Sequence, residues 1–448
     1  MAKVFPFRAL MYDPARVGDL QSVVTQPYDK ITPAMQTRYY AASPYNLARI
    51  IRGKTYPDDS PGNNVYTRAR QNFQQWCNES ILRPAPRAAF YAYTQRYVVP
   101  GSPYAERVRY GFIGAGQLEP YSRRVIFPHE RTLSEPKADR LELLDATRAH
   151  FGQIFMLYSD PQAAIDRRLA AIAAAPPALR VQDEYETTHS LWVIDDPQDI
   201  AYIQANLAEK SLLIADGHHR YETALAFRGK ICSAAQAENR SLPENYNRIM
   251  MTLINMEGMG LTVLPTHRLV SGIAGFAVPS LLEKLRPHFD AQEFSFLKSD
   301  RAEVLSRFRE QLRQQGAAAP AIGFYGAGRE AYYILRLKVP LNLEEALPEV
   351  SERQRALDVV VLHQLILKRG LGISDEAVVR ETNIAYVREL EEAIARVDQG
   401  LAQACFALNP PPIEQVRDIA FAGETLPQKS TDFYPKLLSG LTIFALDD

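Results

Sequence analysis

Cysteine is scarce in this chain: Cys77, Cys232 and Cys405 are the only three, and they lie far apart. An odd, scattered set gives neither a disulfide framework nor a cysteine zinc cluster, and it suits a reducing compartment. An excess of either charge is also missing, with 51 Lys plus Arg against 52 Asp plus Glu. Gripping DNA or a membrane surface by bulk charge requires a basic surplus, so nucleic acid is not an expected partner, while a local basic pocket stays open. No apolar run is long enough to span a bilayer, and Met1 to Arg8 holds no apolar stretch ahead of a small-residue cleavage site. The expectation is a cytoplasmic protein with no membrane partner.

Several catalytic signatures are absent too. There is no Gly-x-x-x-x-Gly-Lys-Ser/Thr loop, no His-Glu-x-x-His and no Cys-x-x-Cys. Gly111 to Gly116 carries a glycine pattern, but within a β-rich run rather than after one, so it is not a dinucleotide loop. His218 and His219 are adjacent and project about 100° apart on a helix, which disfavours a shared zinc.

What is present is an ordinary globular composition, 46% hydrophobic and 23% charged, which argues against disorder over most of the chain. At 448 residues, two or three compact units are expected. Ala69, Phe73 and Trp76 recur at helical spacing between Val65 and Leu82. The runs Ala88 to Val99 and Arg107 to Leu118, joined across Pro-Gly-Ser-Pro, predict a hairpin. Further along, Ile154 to Tyr158 and Ser211 to Ala215 read as buried strands. Pro161 to Ala175 and Ala201 to Glu209 read as helices, as does the segment from Tyr221 to Arg228. This alternation predicts an α/β fold of mixed α+β character. Domains are expected at 1–279, an α/β unit, and at 280–426, an α+β unit. The second has long helices at Ser351 to Arg369 and Ala385 to Gln399. A tail at 427–448 is expected to return to the active site.

The densest chemistry lies in Ala215-Asp216-Gly217-His218-His219-Arg220. A buried strand ends at Asp216, Gly217 permits a tight turn, and a helix starts among the histidines. The N–H groups at such a start attract anions, and His218, His219 and Arg220 add donors. Asp216 is positioned to hold Mg²⁺ or to orient a histidine. The same residues would equally make an Asp turn and helix cap with solvated histidines.

A second group is His129-Glu130-Arg131-Thr132 with Lys137 and Arg140. Here Glu130 is a candidate base or metal ligand, and Arg131, Lys137 and Arg140 could share an anion. Standing alone, it reads more simply as a solvated helix start that Ser134 could cap. A third, Pro427 to Lys436, offers Lys429, Ser430, Thr431 and Lys436 for phosphate contact, though an ordinary C-terminal tail looks the same. Pro265 to Arg268 is a lesser fourth.

Taken together these segments resemble the family called domain of unknown function 1015. The matching stretches are Pro27-Tyr28-Asp29, His129 to Thr132, Pro136 to Arg140, Ala215 to Ala224 and Lys429 to Lys436. The chain departs from that pattern at Gln26, where Pro is usual. It departs again at Asp432, where Tyr is usual, which places a negative charge beside Lys429. More distantly, the Asp-Gly-His-His-Arg turn is similar to the phosphate-contacting turn of the ParB and sulfiredoxin-like group. That group includes CTP-using partition proteins, ATP-using sulfiredoxins and kinases acting on free serine. The resemblance implies a ParB/sulfiredoxin-like nucleotide-binding core with insertions.

It also implies phosphoryl transfer from ATP or ADP with Mg²⁺ to a small hydroxylated metabolite, free L-serine being the first expectation. The catalytic set would be Asp216, His218, His219 and Glu130, with Asp216 on the metal. Gly217, Arg220, His129, Arg131, Lys137, Arg140, Lys429, Ser430, Thr431 and Lys436 would contact the nucleotide. The alternative is a nucleotide-binding regulator without turnover. A homodimer stays open.

Overall fold

The protein is described by a computed structural model covering residues 1–130, 135–238, 240–338 and 343–447. The chain divides into two compact units. One comprises Met1–Pro128, Thr132–Thr262 and Pro435–Asp448, and the other His129–Arg131 and Val263–Tyr434.

The first unit is built on a mixed nine-stranded sheet. Its strands are β1 (Val4–Phe5), β2 (Phe90–Val99), β3 (Ser102–Gln117), β4 (Ile126–Pro128), β5 (Ile154–Tyr158), β6 (Leu179–Gln182), β7 (Thr188–Ile194), β8 (Leu212–Asp216) and β9 (Arg248–Asn255). Their spatial order is β4-β8-β5-β9-β3-β2-β7-β6, with β1 beside β3. Pairs β8–β4 and β9–β5 run parallel, whereas β8–β5, β9–β3 and β2–β3 are antiparallel. Every residue of β5 is buried, as expected for a strand covered on both faces.

The expected hairpin is present as β2 and β3, and Gly111 to Gly116 lies within β3. Those glycines serve close packing. A Cβ on Gly116 would lie 2.2 Å from the Met251 sulfur, and one on Gly111 2.6 Å from an Ile254 side-chain carbon. Phe90, Phe112, Ile154, Met156, Ile214 and Leu253 form the main core. A second core gathers around Phe73 and Trp76 of α1 (Val65–Asn78), whose start is fixed by a reciprocal bond between Asn64 and Thr67.

Two helices frame the site of interest, α2 (Glu135–Thr147) and α3 (His218–Ala237). The latter begins at His218, so the histidines occupy its first turn. Tyr221, Ala224, Phe227, Ile231 and Ala235 then repeat at three- and four-residue intervals and are all buried.

The second unit contains a six-stranded sheet. Its strands are β10 (His267–Val270), β11 (Phe289–Ser295), β12 (Ala321–Gly326), β13 (Ala331–Leu337), β14 (Ile384–Val387) and β15 (Ala404–Ala407), ordered β11-β13-β12-β15-β10-β14. Helices α4 (Arg301–Gly316) and α5 (Leu390–Asp398) supply Phe308, Leu312 and Ile394 to its core.

Two expected helices are corrected here. Ser351 to Arg369 is not continuous. It breaks into Glu352–Arg355, Asp358–Val361 and a wider π-type coil over Leu362–Gly370. The helix expected from Ala385 begins only at Leu390: Ala385 to Val387 pair with Ile384 against β10, a register that suits the β-branched and aromatic residues of Ile384–Val387. Because β10 pairs with β14 and β15, it groups with the second unit, so the expected boundary at 279/280 falls inside that unit. The tail expected at 427–448 is shared, with Pro435 onward in the first unit.

Phe308 is 1% exposed and packs against the rings of Phe294 and Tyr332 at 5.9 and 5.3 Å. Replacing it with alanine should cost about 3–5 kcal/mol of unfolding free energy in urea titrations. A loss below about 1 kcal/mol would show that this unit is held together elsewhere.

Candidate functional site

In the first unit, β8 delivers Asp216 to the mouth of a turn. Leu213 and Ile214 are fully buried, the pairing with β5 shifts register between Ile214 and Asp216, and the side chain of Asp216 retains 24% exposure. Gly217 follows at φ +95°, a left-handed conformation that glycine adopts without penalty. No side chain caps α3, so the N-terminal partial positive charge of this 20-residue helix is not offset by a cap.

The Asp216 carboxylate is surrounded by cations. Its Oδ1 accepts the Gly217 N–H at 2.9 Å, and Oδ2 lies 3.7 Å from Lys436 Nζ and 3.8 Å from Arg220 Nη2. Burial by itself would raise the carboxyl pKa. The charges of Lys436, Arg220, Lys30 and His218 outweigh that effect and hold it well below the usual carboxylate range.

Each cation is positioned by its neighbours. Arg220 donates from Nη1 to the Gln153 carbonyl at 2.5 Å and closes against Gly152 and Gly217, where a Cβ would fall 2.9 and 3.1 Å from its guanidinium nitrogens. Lys436 is placed by its backbone. Gln95 Nε2 donates to the Lys436 carbonyl at 2.8 Å, and Arg109, fully buried, donates to the Pro435 carbonyl at 2.5 Å while bonding Gln95 Oε1 through Nε at 3.0 Å. Burial lowers the Arg109 pKa to about 10, with Tyr97 and Tyr93 opposing.

Neither Gln95 nor Arg109 was singled out from sequence, where they look like outward residues of a hairpin. Tyr28 and Lys30 were also missed as site residues, although they sit in or beside the quoted Pro27-Tyr28-Asp29 segment. Burial raises the Tyr28 hydroxyl pKa, and Arg220, Asp29, Arg140 and Asp216 all act on it in turn. The departure at Gln26 has a partner: its Nε2 donates to Asp183 at 3.0 Å inside the fold.

Beside this cluster is a cleft of about 530 Å³, counting its open mouth, lined by Tyr28, Arg140, His150, Arg220, Thr223 and Ser439 among others. Arg140 stacks over Tyr28 at 4.1 Å and donates to the Ile51 carbonyl at 2.8 Å. Thr223 Oγ1 is buried without a hydrogen-bond partner among the described residues. Lys137, expected at the anion site, instead forms an ion pair with Glu222.

In the second unit the other two segments meet. Leu426 N–H donates to the His129 carbonyl at 2.8 Å, His129 Nε2 and Thr431 Oγ1 are 2.7 Å apart, and Glu130 Oε1 accepts the Lys429 N–H at 2.7 Å. Lys429 adopts φ +57°, and its carbonyl is held by Arg268 Nη2 at 3.0 Å. Ser430 Oγ donates to Pro427 O at 2.5 Å. Arg268 is fully buried, which lowers its pKa to about 10 against the opposing pull of Tyr386 and Glu130. The negative charge of Asp432 is answered by Arg388 at 2.6 Å.

Thus Asp216, Gly217, His218, His219, Arg220, Lys137, Arg140 and Lys436 belong to the first unit. His129, Glu130, Lys429, Ser430 and Thr431 belong to the second. Arg131 lies outside the described residues, as do Thr132 and Ser134. No group of three or more His, Cys, Asp or Glu among the described residues is arranged to hold a metal ion, and no helix among them is long and apolar enough to cross a membrane.

The pattern of the family described as "Protein of unknown function (DUF1015)" matches residues 4–360. The chain belongs to that family. The DUF1015 match includes the Asp216 turn and the His129-Glu130 pair, and it stops before Lys429 and Lys436. No curated protein matches the sequence.

Among solved structures, a conserved hypothetical protein from Pyrococcus furiosus is 15% identical, with a TM-score of 0.31 over 69% of this chain and 87% of that one. A free serine kinase in complex with AMP is 13% identical, with a TM-score of 0.34 over 72% and 88%. SbnI with a C-terminal truncation, from Staphylococcus aureus, is 10% identical, with a TM-score of 0.34 over 73% and 85%.

Two outcomes test this geometry. Gly217→Ala places a side chain at a left-handed position 3.1 Å from Arg220 and Ile154, and should cost about 1–2 kcal/mol in thermal unfolding; an unchanged midpoint would remove the requirement for glycine. Because the folded Asp216 pKa is depressed, its stabilising contribution is complete above the unfolded carboxyl value of about 4 and declines as pH falls below it. Asp216→Asn should therefore be less stable than the native protein at pH 7, with the difference narrowing towards pH 2. A difference independent of pH would contradict the ion-pair account.

Proposed function

We propose that the first unit binds the phosphates of a nucleotide at the Asp216 turn and transfers a phosphoryl group to a small hydroxylated metabolite. One observation carries this reading: Lys436, Arg220, Lys30 and His218 converge electrostatically on one part-exposed carboxylate at an uncapped helix start. Four basic groups around one acid leave a surplus of positive charge, which a polyphosphate would neutralise.

The residues fit a nucleotide in three respects. Arg220 and Lys436 would contact phosphate oxygens, the α3 start would add backbone donors, and the cleft offers the Tyr28–Arg140 stack and the unpartnered Thr223 hydroxyl. Phosphoryl transfer depends mainly on positioning and charge neutralisation, which such a set supplies. The proposed fold assignment remains a ParB/sulfiredoxin-like nucleotide-binding core, and free L-serine remains the first substrate to try.

A resident Mg²⁺ on Asp216 fits less well, because two cations already approach the same oxygen. We assign Asp216 instead to holding Lys436 and Arg220 in register, and any Mg²⁺ would arrive on the nucleotide as part of the substrate. Glu130 belongs to the second unit, where its Oε1 is engaged by the Lys429 N–H, and it is given no part in chemistry at the Asp216 turn. That engagement favours one second reading, a regulator that binds nucleotide without turnover.

The test is to incubate the full-length protein with ATP or ADP, Mg²⁺ and a panel of hydroxylated metabolites that includes L-serine, and to measure phosphorylated product. Product formation is expected, and Arg220→Ala or Lys436→Ala should weaken nucleotide binding at least about tenfold. Nucleotide binding without product would favour the regulator, and no nucleotide binding would end both readings.

A further inference from the structure

The second unit contains a cavity that meets the segments described above at Ser430 and plays no part in the proposed phosphoryl transfer. It measures about 880 Å³ including its opening, and its walls include Ala317, Leu408 and the Pro410-Pro411-Pro412 run. One carboxylate, Asp358, reaches into this mostly apolar wall. Its donors are all neutral amides. Ala321 N–H lies 3.3 Å from Oδ1, Asn409 Nδ2 lies 3.4 Å from Oδ2, and the Asn409 backbone also contributes. These two side-chain contacts sit at the long end of hydrogen-bonding range, so they compensate poorly for lost water.

The wall around Asp358 is fixed by its neighbours. Asn409 Nδ2 also donates to the Leu312 carbonyl at 3.1 Å, and it occupies space that only glycine leaves open: a Cβ on Gly316 would lie 2.1 Å from that nitrogen. Arg313, the other charged residue on the cavity wall, has its guanidinium committed to Glu310 at 2.6 Å. A part-buried carboxylate facing an open cavity, with amide donors and no cation paired to it among the described residues, is complementary to an ammonium group.

We infer that this cavity is a binding site for a small primary amine, whose ammonium pairs with Asp358 while its carbon skeleton lies against the proline-rich wall. Burial pushes the Asp358 carboxyl up to about 7, against the lowering by Asn409 and Ala321. The group is therefore about half protonated at neutral pH, and an arriving ammonium displaces that proton into solvent. The site belongs to the second unit and stands independently of the phosphoryl-transfer reading.

The experiment is isothermal titration of the full-length protein at pH 7 with ethanolamine hydrochloride, and with ethylene glycol as its uncharged counterpart, in two buffers of different ionisation enthalpy. Saturable binding of ethanolamine in the millimolar range is expected, with release of a fraction of a proton per molecule bound. Asp358→Asn, which preserves shape, should weaken it at least about tenfold and abolish the proton release. Equal binding of ethylene glycol, full affinity in Asp358→Asn, or no saturable binding of ethanolamine would each overturn the inference.

Discussion

An acid held among bases organises the first unit's polar chemistry. Asp216 closes a buried strand, and its carboxylate faces Arg220 from the next helical turn and Lys436 from the far end of the chain. Without that carboxylate the two cations would repel each other across a partly desolvated turn, where opposing charge is worth far more than in water. Without the cations, burial would drive the carboxyl towards its neutral form. Each side therefore needs the other, and the basic groups outnumber the carboxylate they surround.

The same economy of polar groups recurs away from the turn. Arg109 and Arg268 are both fully buried, and both donate to backbone carbonyls of the C-terminal segment, Arg109 at Pro435 and Arg268 at Lys429. Burying a guanidinium is costly unless its donors are used. In each unit, that demand fixes the path of a chain segment that has little regular secondary structure. Residues 427 to 436 carry motif side chains, yet their placement depends on Arg109, which no motif marked, and on Arg268, which lay in the least of the four candidate segments.

How much of this was legible beforehand follows the physics of each element. Strands such as β5 and β8, and the β2–β3 hairpin, could be read because apolar runs and turn residues are local signals. The failures came where local pattern is ambiguous. The 384–387 segment has helix-compatible neighbours but a β-branched, aromatic composition that its sheet partners exploit. Glu352 to Gly370 contains enough apolar residues for one helix, and tertiary packing broke it into three pieces. Lys137 was expected at an anion from its charge and its place in the Pro136 to Arg140 stretch, and it pairs with Glu222.

The order of residues along the chain determined the strand–Gly–helix turn at Asp216, because apolar burial, a left-handed glycine and a helix start are all encoded within ten residues. It also determined family membership, through segments whose side chains carry recognisable chemistry. Only the tertiary structure decided which distant groups face one another: Lys436 and Tyr28 with Asp216 in one unit, His129 and Glu130 with Thr431 and Lys429 in the other. Such pairings depend on loop closure over hundreds of residues, and nothing in the local pattern of either partner specifies the other.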